Sequence, residues 1–363
     1  MFAAQLYESI YLIIVTILAM IVTLQYLPYT NERLTEKYNQ SPFPALIIAI
    51  LFALFIGYRP QSGVFIDMMN YETHYNYYSY ENFEFTLDTD NFIFDNFEKY
   101  IACNEYDLRI LFVTMAFIYF LGMFIAFKKM FPKDILFTLI MYLGSFSTFS
   151  YGTNGIKAGA AASVFLIALA YRRQIILMAL LCFISLGLHH SMILPIAGLG
   201  ITLLYNKPKP YLLFWIICIG IAAMHITVFQ EFFNSIADEQ GQEYLSEVDG
   251  EFNHGFRPDF IFYSSFPIIA GGYAIFKLNY KSSFYFTLYN TYLIVNAIWL
   301  LCMYAEFPNR IAYLSWQISP IVMIYPYLDK PFCKDQYRKA LMVFWINIVF
   351  TIAMDVIYYG IIK

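Results

Sequence analysis

The stretch "FIGYRPQSGVFIDMMNYETHY", residues 55–75, decides how the chain is read. It begins as the tail of an apolar run and then supplies Arg59, Asp67, Tyr71 and His74 in quick succession. An arginine closing a hydrophobic segment belongs where lipid tails give way to headgroups and water. The segment before it therefore reads as a membrane span, and Arg59 marks the span's polar end.

The rest of the chain agrees. Its 363 residues are 60% hydrophobic and only 13% charged, which is more apolar surface than a water-soluble domain of this size hides. Runs close to the roughly 17–25 residues a helix needs to cross a bilayer lie near 8–28, 43–58, 108–127, 134–152, 154–171, 174–189, 191–206, 211–229, 260–277, 282–304, 310–328 and 341–362. The expected fold class is an all-α polytopic membrane protein of about twelve transmembrane helices, with residues 1–363 forming one integral membrane domain. The first run lacks a basic leader and a small-residue cleavage site, so it reads as a retained span. The five cysteines show no C-x-x-C spacing, which argues against a disulfide framework and a zinc site.

Basic residues choose an orientation, because short cytoplasmic loops collect lysine and arginine. Arg33 and Lys37, Lys128, Lys129 and Lys133, Arg172 and Arg173, Lys207 and Lys209, Lys277 and Lys281, and Lys330, Lys334, Arg338 and Lys339 all fall on alternate connections. That register places both termini outside, with two long acidic connections at 59–107 and 230–259. Long loops of this kind often carry function. The first is rich in Tyr, Phe and Asn, a mixture that stacks on sugar rings and bonds their hydroxyls; it also suits an interfacial aromatic belt. Tyr71 and His74 there, and Arg257 near the end of the second, are candidate substrate contacts.

Few cations remain on the outer side, and three of them mark ends of spans: Arg59, Lys157 and Arg310. Lys157 and Arg310 break the inside bias and also sit near helix N-termini, where the macrodipole is already positive. A bound anion resolves both conflicts. Asn154 and Asn309 are the expected N-caps, and such ends offer free N–H groups to a phosphate. Pairing with the outer carboxylates or with lipid phosphate is the plain alternative.

"LHHS", residues 188–191, ends the sixth run with His189 and His190, whose side chains titrate near neutrality and suit proton transfer. Asp67 is positioned either to orient Arg59 or to act as a base. Asp88-Thr89-Asp90 is a D-x-D of the sort that holds divalent metals in sugar transferases, although a stretch this acidic produces one by chance. Asp355 is the one carboxylate deep in an apolar run, and no role is assigned to it.

Four blocks, "GYRPQSGVFIDMMNY" (57–71), "NGIKAGAAASVFLIAL" (154–169), "LGLHHSMILPI" (186–196) and "FPNRIAYLSWQISPIVMIYP" (307–326), together resemble the EpsG and Wzy-type polymerases of bacterial exopolysaccharide, capsule and O-antigen. Members of that family commonly carry arginine where this chain has Lys157, so the forked recognition of phosphate by a guanidinium is absent at that position.

The resemblance implies a GT-C-like glycosyltransferase of the bacterial inner membrane with its active site facing the periplasm. It joins undecaprenyl-pyrophosphate-linked oligosaccharide donor and acceptor, with no cofactor, no metal and no nucleic acid. Membrane lipids and a chain-length regulator are further expected partners. Arg59, Lys157 and Arg310, with Asn154 and Asn309, would hold the leaving pyrophosphate. His189 would be the base, with His190 or Asp67 as substitute, and one direct displacement would invert the anomeric centre. An O-antigen ligase, a flippase of lipid-linked sugar and a membrane O-acyltransferase are the alternatives.

Overall fold

The computed structural model describes residues 2–29, 41–236 and 255–357, and every regular element among them is helical. Arg33, Lys37, the middle of the second long connection and the terminal Lys363 lie outside the described residues. The helices are α1 (Tyr7–Tyr26), α2 (Phe43–Gly57), α3 (Ile66–Tyr78), α4 (Phe92–Cys103), α5 (Arg109–Met130), α6 (Ile135–Leu143), α7 (Phe146–Thr153), α8 (Ile156–Ala170) and α9 (Ile175–Leu188). They continue with α10 (Ile193–Leu204), α11 (Pro208–Ala223), α12 (Val228–Ile236), α13 (Pro258–Gly272), α14 (Ser283–Leu301), α15 (Pro308–Trp316), α16 (Ser319–Asp329) and α17 (Gln336–Ile357).

All twelve apolar runs fall on helix, but helix length divides them. Five continuous segments are long and apolar enough to cross a membrane: Ala4–Tyr29, Arg109–Met130, Pro258–Lys277, Ser283–Leu301 and Gln336–Val356. A sixth is the pair α6 and α7, bent by 75° at its break. The other apolar helices are shorter; α2 and α8 have 15 residues each, which at a rise of ~1.5 Å spans about 22 Å of a hydrocarbon core ~30 Å thick. The chain is a multi-pass membrane protein in which five or six described segments meet the length and hydropathy of a full span, so the expected twelve are not confirmed.

Two units organise the chain, one of Met1–Met192 with Tyr327–Lys363 and one of Ile193–Pro326. In the first, α5 and α8 meet through small residues: a Cβ on Gly122 would lie 2.5 Å from Ser163 Oγ, and Ser163 donates back to the Ile118 carbonyl at 3.0 Å. Apolar lipid offers helices no hydrophobic drive to associate, so close backbone approach of this kind holds them together.

The break between α6 and α7 frees carbonyls that hydrocarbon cannot solvate. Neighbouring helices supply the donors. Asn347 Nδ2 on α17 donates to the Met141 carbonyl at 3.0 Å and the Gly144 carbonyl at 3.2 Å. Thr351 Oγ1 adds a bond to Gly144 at 2.9 Å, and Tyr11 Oη on α1 reaches the Leu143 carbonyl at 2.7 Å. Asp355 lies one turn beyond Thr351 on the same helix and is buried.

The second unit uses the same device. Asn296 on α14 accepts from Trp215 Nε1 on α11 at 2.7 Å and donates to Ser264 Oγ on α13 and Ser315 Oγ on α15, both at 3.0 Å. One buried amide, fully satisfied, thus fixes four helices. Pro326 lies inside α16 and has no N–H for the carbonyl four residues back. Tyr285 Oη donates to that Val322 carbonyl instead, at 2.7 Å.

Replacing Asn347 by Leu should remove one donor each from the Met141 and Gly144 carbonyls, which keep Ser145 Oγ at 3.0 Å and Thr351 Oγ1 at 2.9 Å, at a cost of about 0.5–1.5 kcal/mol for each bond lost. A clear fall in melting temperature of the detergent-solubilised protein is expected, whereas Met342→Leu on the exposed face of the same helix should change nothing. Equal melting of the two variants would refute this account of the break.

Candidate functional site

The first long connection, expected as a loop over 59–107, folds into α3 and α4. Helix α4 is amphipathic: Phe94, Glu98, Ile101 and Ala102 form the stripe it buries. Its start is fastened to the end of α9. The His190 N–H donates to Asn91 Oδ1 at 2.9 Å, and the Phe92 and Phe183 rings pack at 5.4 Å. Gly187 allows this contact, since a Cβ there would lie 2.6 Å from the Phe92 ring. Tyr71 on α3 is buried against Phe94 at 5.7 Å and Phe112 on α5 at 6.1 Å, so its ring joins the two short helices to the bundle.

A charged cluster results at this end of the first unit. Lys157, in the first turn of α8, holds Nζ 5.6 Å over the Phe94 ring and has no ion-pair or hydrogen-bond partner among the described residues. His74 Nδ1 on α3 lies 3.6 Å from Glu98 Oε1, an ion-pair distance too long for a hydrogen bond. The histidine ring is 54% exposed, whereas the Glu98 side chain is 5% exposed. Glu98 holds the His74 pKa above its ordinary value, opposed by burial and by Lys157. Burial raises the pKa of Asp95, and Lys157 pulls it back. Lys99, beside Glu98 in sequence, is committed elsewhere, to Glu81 at 2.6 Å.

The "HHS" turn sits next to this cluster in the chain order of contacts, through Asn91. His189 Nδ1 accepts the Ser191 N–H at 3.2 Å and lies 2.7 Å from Ser191 Oγ. A backbone amide only donates, so Nδ1 is unprotonated and the neutral ring carries its proton on Nε2. His190 Nδ1 lies 4.0 Å from Asp90 Oδ1, and both side chains are substantially exposed. The D-x-D aspartate therefore faces a histidine.

Several expected residues have different settings. Arg59 is not an open cation: it is 2% exposed, donating to the Ile56 carbonyl at 3.0 Å and the Thr153 carbonyl at 2.7 Å. Its guanidinium lies over Phe112 at 4.8 Å, and burial lowers its pKa to about 10, which leaves it charged at neutral pH. Arg59 thereby ties the end of α2 to the end of α7, just before the turn into α8. Asn154 and Asn309 are not N-caps. Asn154 ends α7 and Gly155 caps α8; Phe307 caps α15 and Asn309 lies inside its first turn. Asp67 lies in the first turn of α3, half-buried.

Arg257, Asn309 and Arg310 belong to the second unit. Arg257 is held by Asp259 through Nε at 3.0 Å and Nη2 at 2.7 Å, with its guanidinium 3.7 Å over Phe260. Arg310 lies 5.0 Å over Phe307, in the first turn of α15.

Glu98 and Asp95 were missed in the sequence as parts of a site. The signal was present: Glu98 falls four residues after Phe94 and three before Ile101, inside an apolar stripe where a carboxylate is costly.

An all-helical, multi-pass membrane protein with histidine, lysine and carboxylate gathered at one end of a helix bundle is the class these features define. The family model described as the EpsG family matches residues 43–363, and the chain belongs to that family. Membership associates it with polysaccharide polymerisation. No curated protein and no solved structure matches it.

Arg59→Lys keeps the charge but loses the fork that reaches two carbonyls. With hydrogen bonds to charged groups worth about 1.5–3 kcal/mol each, the variant should melt well below wild type. Wild-type melting in Arg59→Lys would show that the two carbonyl contacts contribute nothing.

Proposed function

We propose that the protein is a GT-C-type membrane glycosyltransferase that polymerises undecaprenyl-pyrophosphate-linked oligosaccharide repeats at the periplasmic face of the bacterial inner membrane. The observation that carries this reading is Lys157. It is an ammonium without an ion-pair or hydrogen-bond partner among the described residues, at a helix N-terminus and near enough to His74 to act on its titration, in a chain of the EpsG family. A cation so placed has every electrostatic reason to take up an anion.

The leaving group of the reaction is a lipid diphosphate. As the anomeric carbon gains oxocarbenium character, the C–O bond to the diphosphate breaks and the electron pair departs with it. Preorganised positive charge aimed at that oxygen stabilises the transition state. Lys157 would do this in the first unit, and Arg310 is the corresponding candidate in the second. The buried Arg59 would hold the α7–α8 turn that presents Lys157. The acceptor hydroxyl gives its proton to a histidine at the same end of the bundle, and one displacement inverts the anomeric centre without a metal. Sugar contacts fall to the polar edge of the α3–α4 pair, and the partners are the donor and acceptor lipids, the surrounding membrane and a chain-length regulator.

The test is the purified full chain in proteoliposomes with lipid-linked repeats extracted from the producing strain. A ladder of products that persists in the presence of a chelator is expected. No ladder until a lipid A core acceptor is added would indicate a ligase instead. Lys157→Ala should lower kcat/KM about 10²–10³-fold, the usual cost of losing one preorganised donor to developing charge, and Lys157→Arg should restore most of it. Wild-type turnover in Lys157→Ala would overturn the reading.

A further inference from the structure

Three histidines stand at this end of the first unit, and their ring nitrogens are not equivalent. His189 has its lone pair occupied: Nδ1 accepts from the Ser191 amide and faces its hydroxyl, leaving Nε2 as the protonated nitrogen. His190 faces Asp90 at 4.0 Å with that carboxylate 48% exposed, a setting in which solvent screens most of the interaction. His74 differs from both. Its Nδ1 is turned to Glu98, whose side chain is 5% exposed, and Nε2 has no partner among the described residues.

Glu98 Oε1 is buried and has no hydrogen bond. A buried carboxylate oxygen without a donor is costly, and the nearby Lys99 does not relieve it, being paired with Glu81. The imidazole lies 3.6 Å away, with Nδ1 turned to that oxygen. A carboxylate holding Nδ1–H fixes the tautomer and leaves the Nε2 lone pair on the half-exposed edge of the ring. It also stabilises the imidazolium that forms when Nε2 takes a proton. Such bonds are often long in the empty enzyme and tighten with substrate.

Resting on the polymerase reading above, we infer that His74, oriented by Glu98, is the general base for the acceptor hydroxyl, in place of His189. The acceptor oxygen attacks the anomeric carbon, its proton passes to His74 Nε2, and the donor C–O bond breaks with its electron pair leaving on the diphosphate. Lys157 lies near enough to act on the titration of both His74 and Asp95, so the base and the cation for the leaving group share one electrostatic neighbourhood.

The groups acting on His74 are Glu98 and Asp95 from α4, Lys157 from α8 and, on its own helix, Tyr78 with its ring 6.4 Å away. Glu98 and Asp95 favour the imidazolium and Lys157 opposes it. Because the base works unprotonated, kcat/KM should fall on the acid side, and Glu98→Gln should move that limb to lower pH.

The experiment uses the reconstituted full chain with extracted lipid-linked repeats. It compares wild type, His74→Asn, Glu98→Gln and His189→Asn over a range of pH, with melting temperatures recorded for each. The expected result is a roughly 10²–10³-fold lower kcat in His74→Asn, with KM and melting little changed, and a downshifted acid limb in Glu98→Gln. In parallel, the His74 pKa is followed by its imidazole NMR signals in wild type and Glu98→Gln; a lower value in the variant is expected. Wild-type turnover in His74→Asn, with activity lost in His189→Asn, would return the role to His189 and leave the polymerase reading standing. An unchanged His74 pKa in Glu98→Gln would refute the pairing whatever the activity. No polymer from wild type would overturn the polymerase reading and the base assignment with it, while the NMR result would still judge the pair.

Discussion

The constraint on which the structure depends is that hydrocarbon gives no water to a broken helix. Several interruptions among the described residues meet it with a side chain borrowed from a neighbour. Asn347, Thr351 and Tyr11 serve the break between α6 and α7. Tyr285 serves the carbonyl freed by Pro326, and Arg59 serves the ends of α2 and α7. Since these bonds cross between helices, satisfying the backbone also fixes the packing.

The same constraint shapes the functional end. Arg59 turns two guanidinium donors to carbonyls, which ties down the turn into α8, and Lys157 just beyond that turn has no ion-pair or hydrogen-bond partner among the described residues. Helices α3 and α4 bring carboxylates and a histidine to that lysine because Gly187 lets Phe92 seat against α9 and Asn91 captures the His190 amide. Charge and burial thus gather at one end of the first unit of a chain that belongs to the EpsG family.

Much of this was legible beforehand. The apolar runs, the all-helical class and the family resemblance needed only composition, order and the four motif blocks. So did the unusual placement of Lys157, which stood out by violating the charge and dipole rules together. Helix continuity was not legible, because a run of apolar residues records burial and not straightness: α6 and α7 read as one run until Gly144 and Ser145 bend them by 75°. The N-cap roles of Asn154 and Asn309 failed because each helix begins one or two residues away from the polar side chain.

By itself the sequence determined the solvent of this protein and its all-helical class, since hydrophobicity is a local property that adds along the chain. Which charged groups are free and which are used up was decided only by the tertiary structure. Arg59 and Lys157 look alike in sequence, and one is enclosed by carbonyls while the other meets a phenyl ring and open charge. Pairing depends on distances between segments far apart in the chain, such as Arg59 with Thr153 or His74 with Glu98, and those distances exist only once the helices have packed.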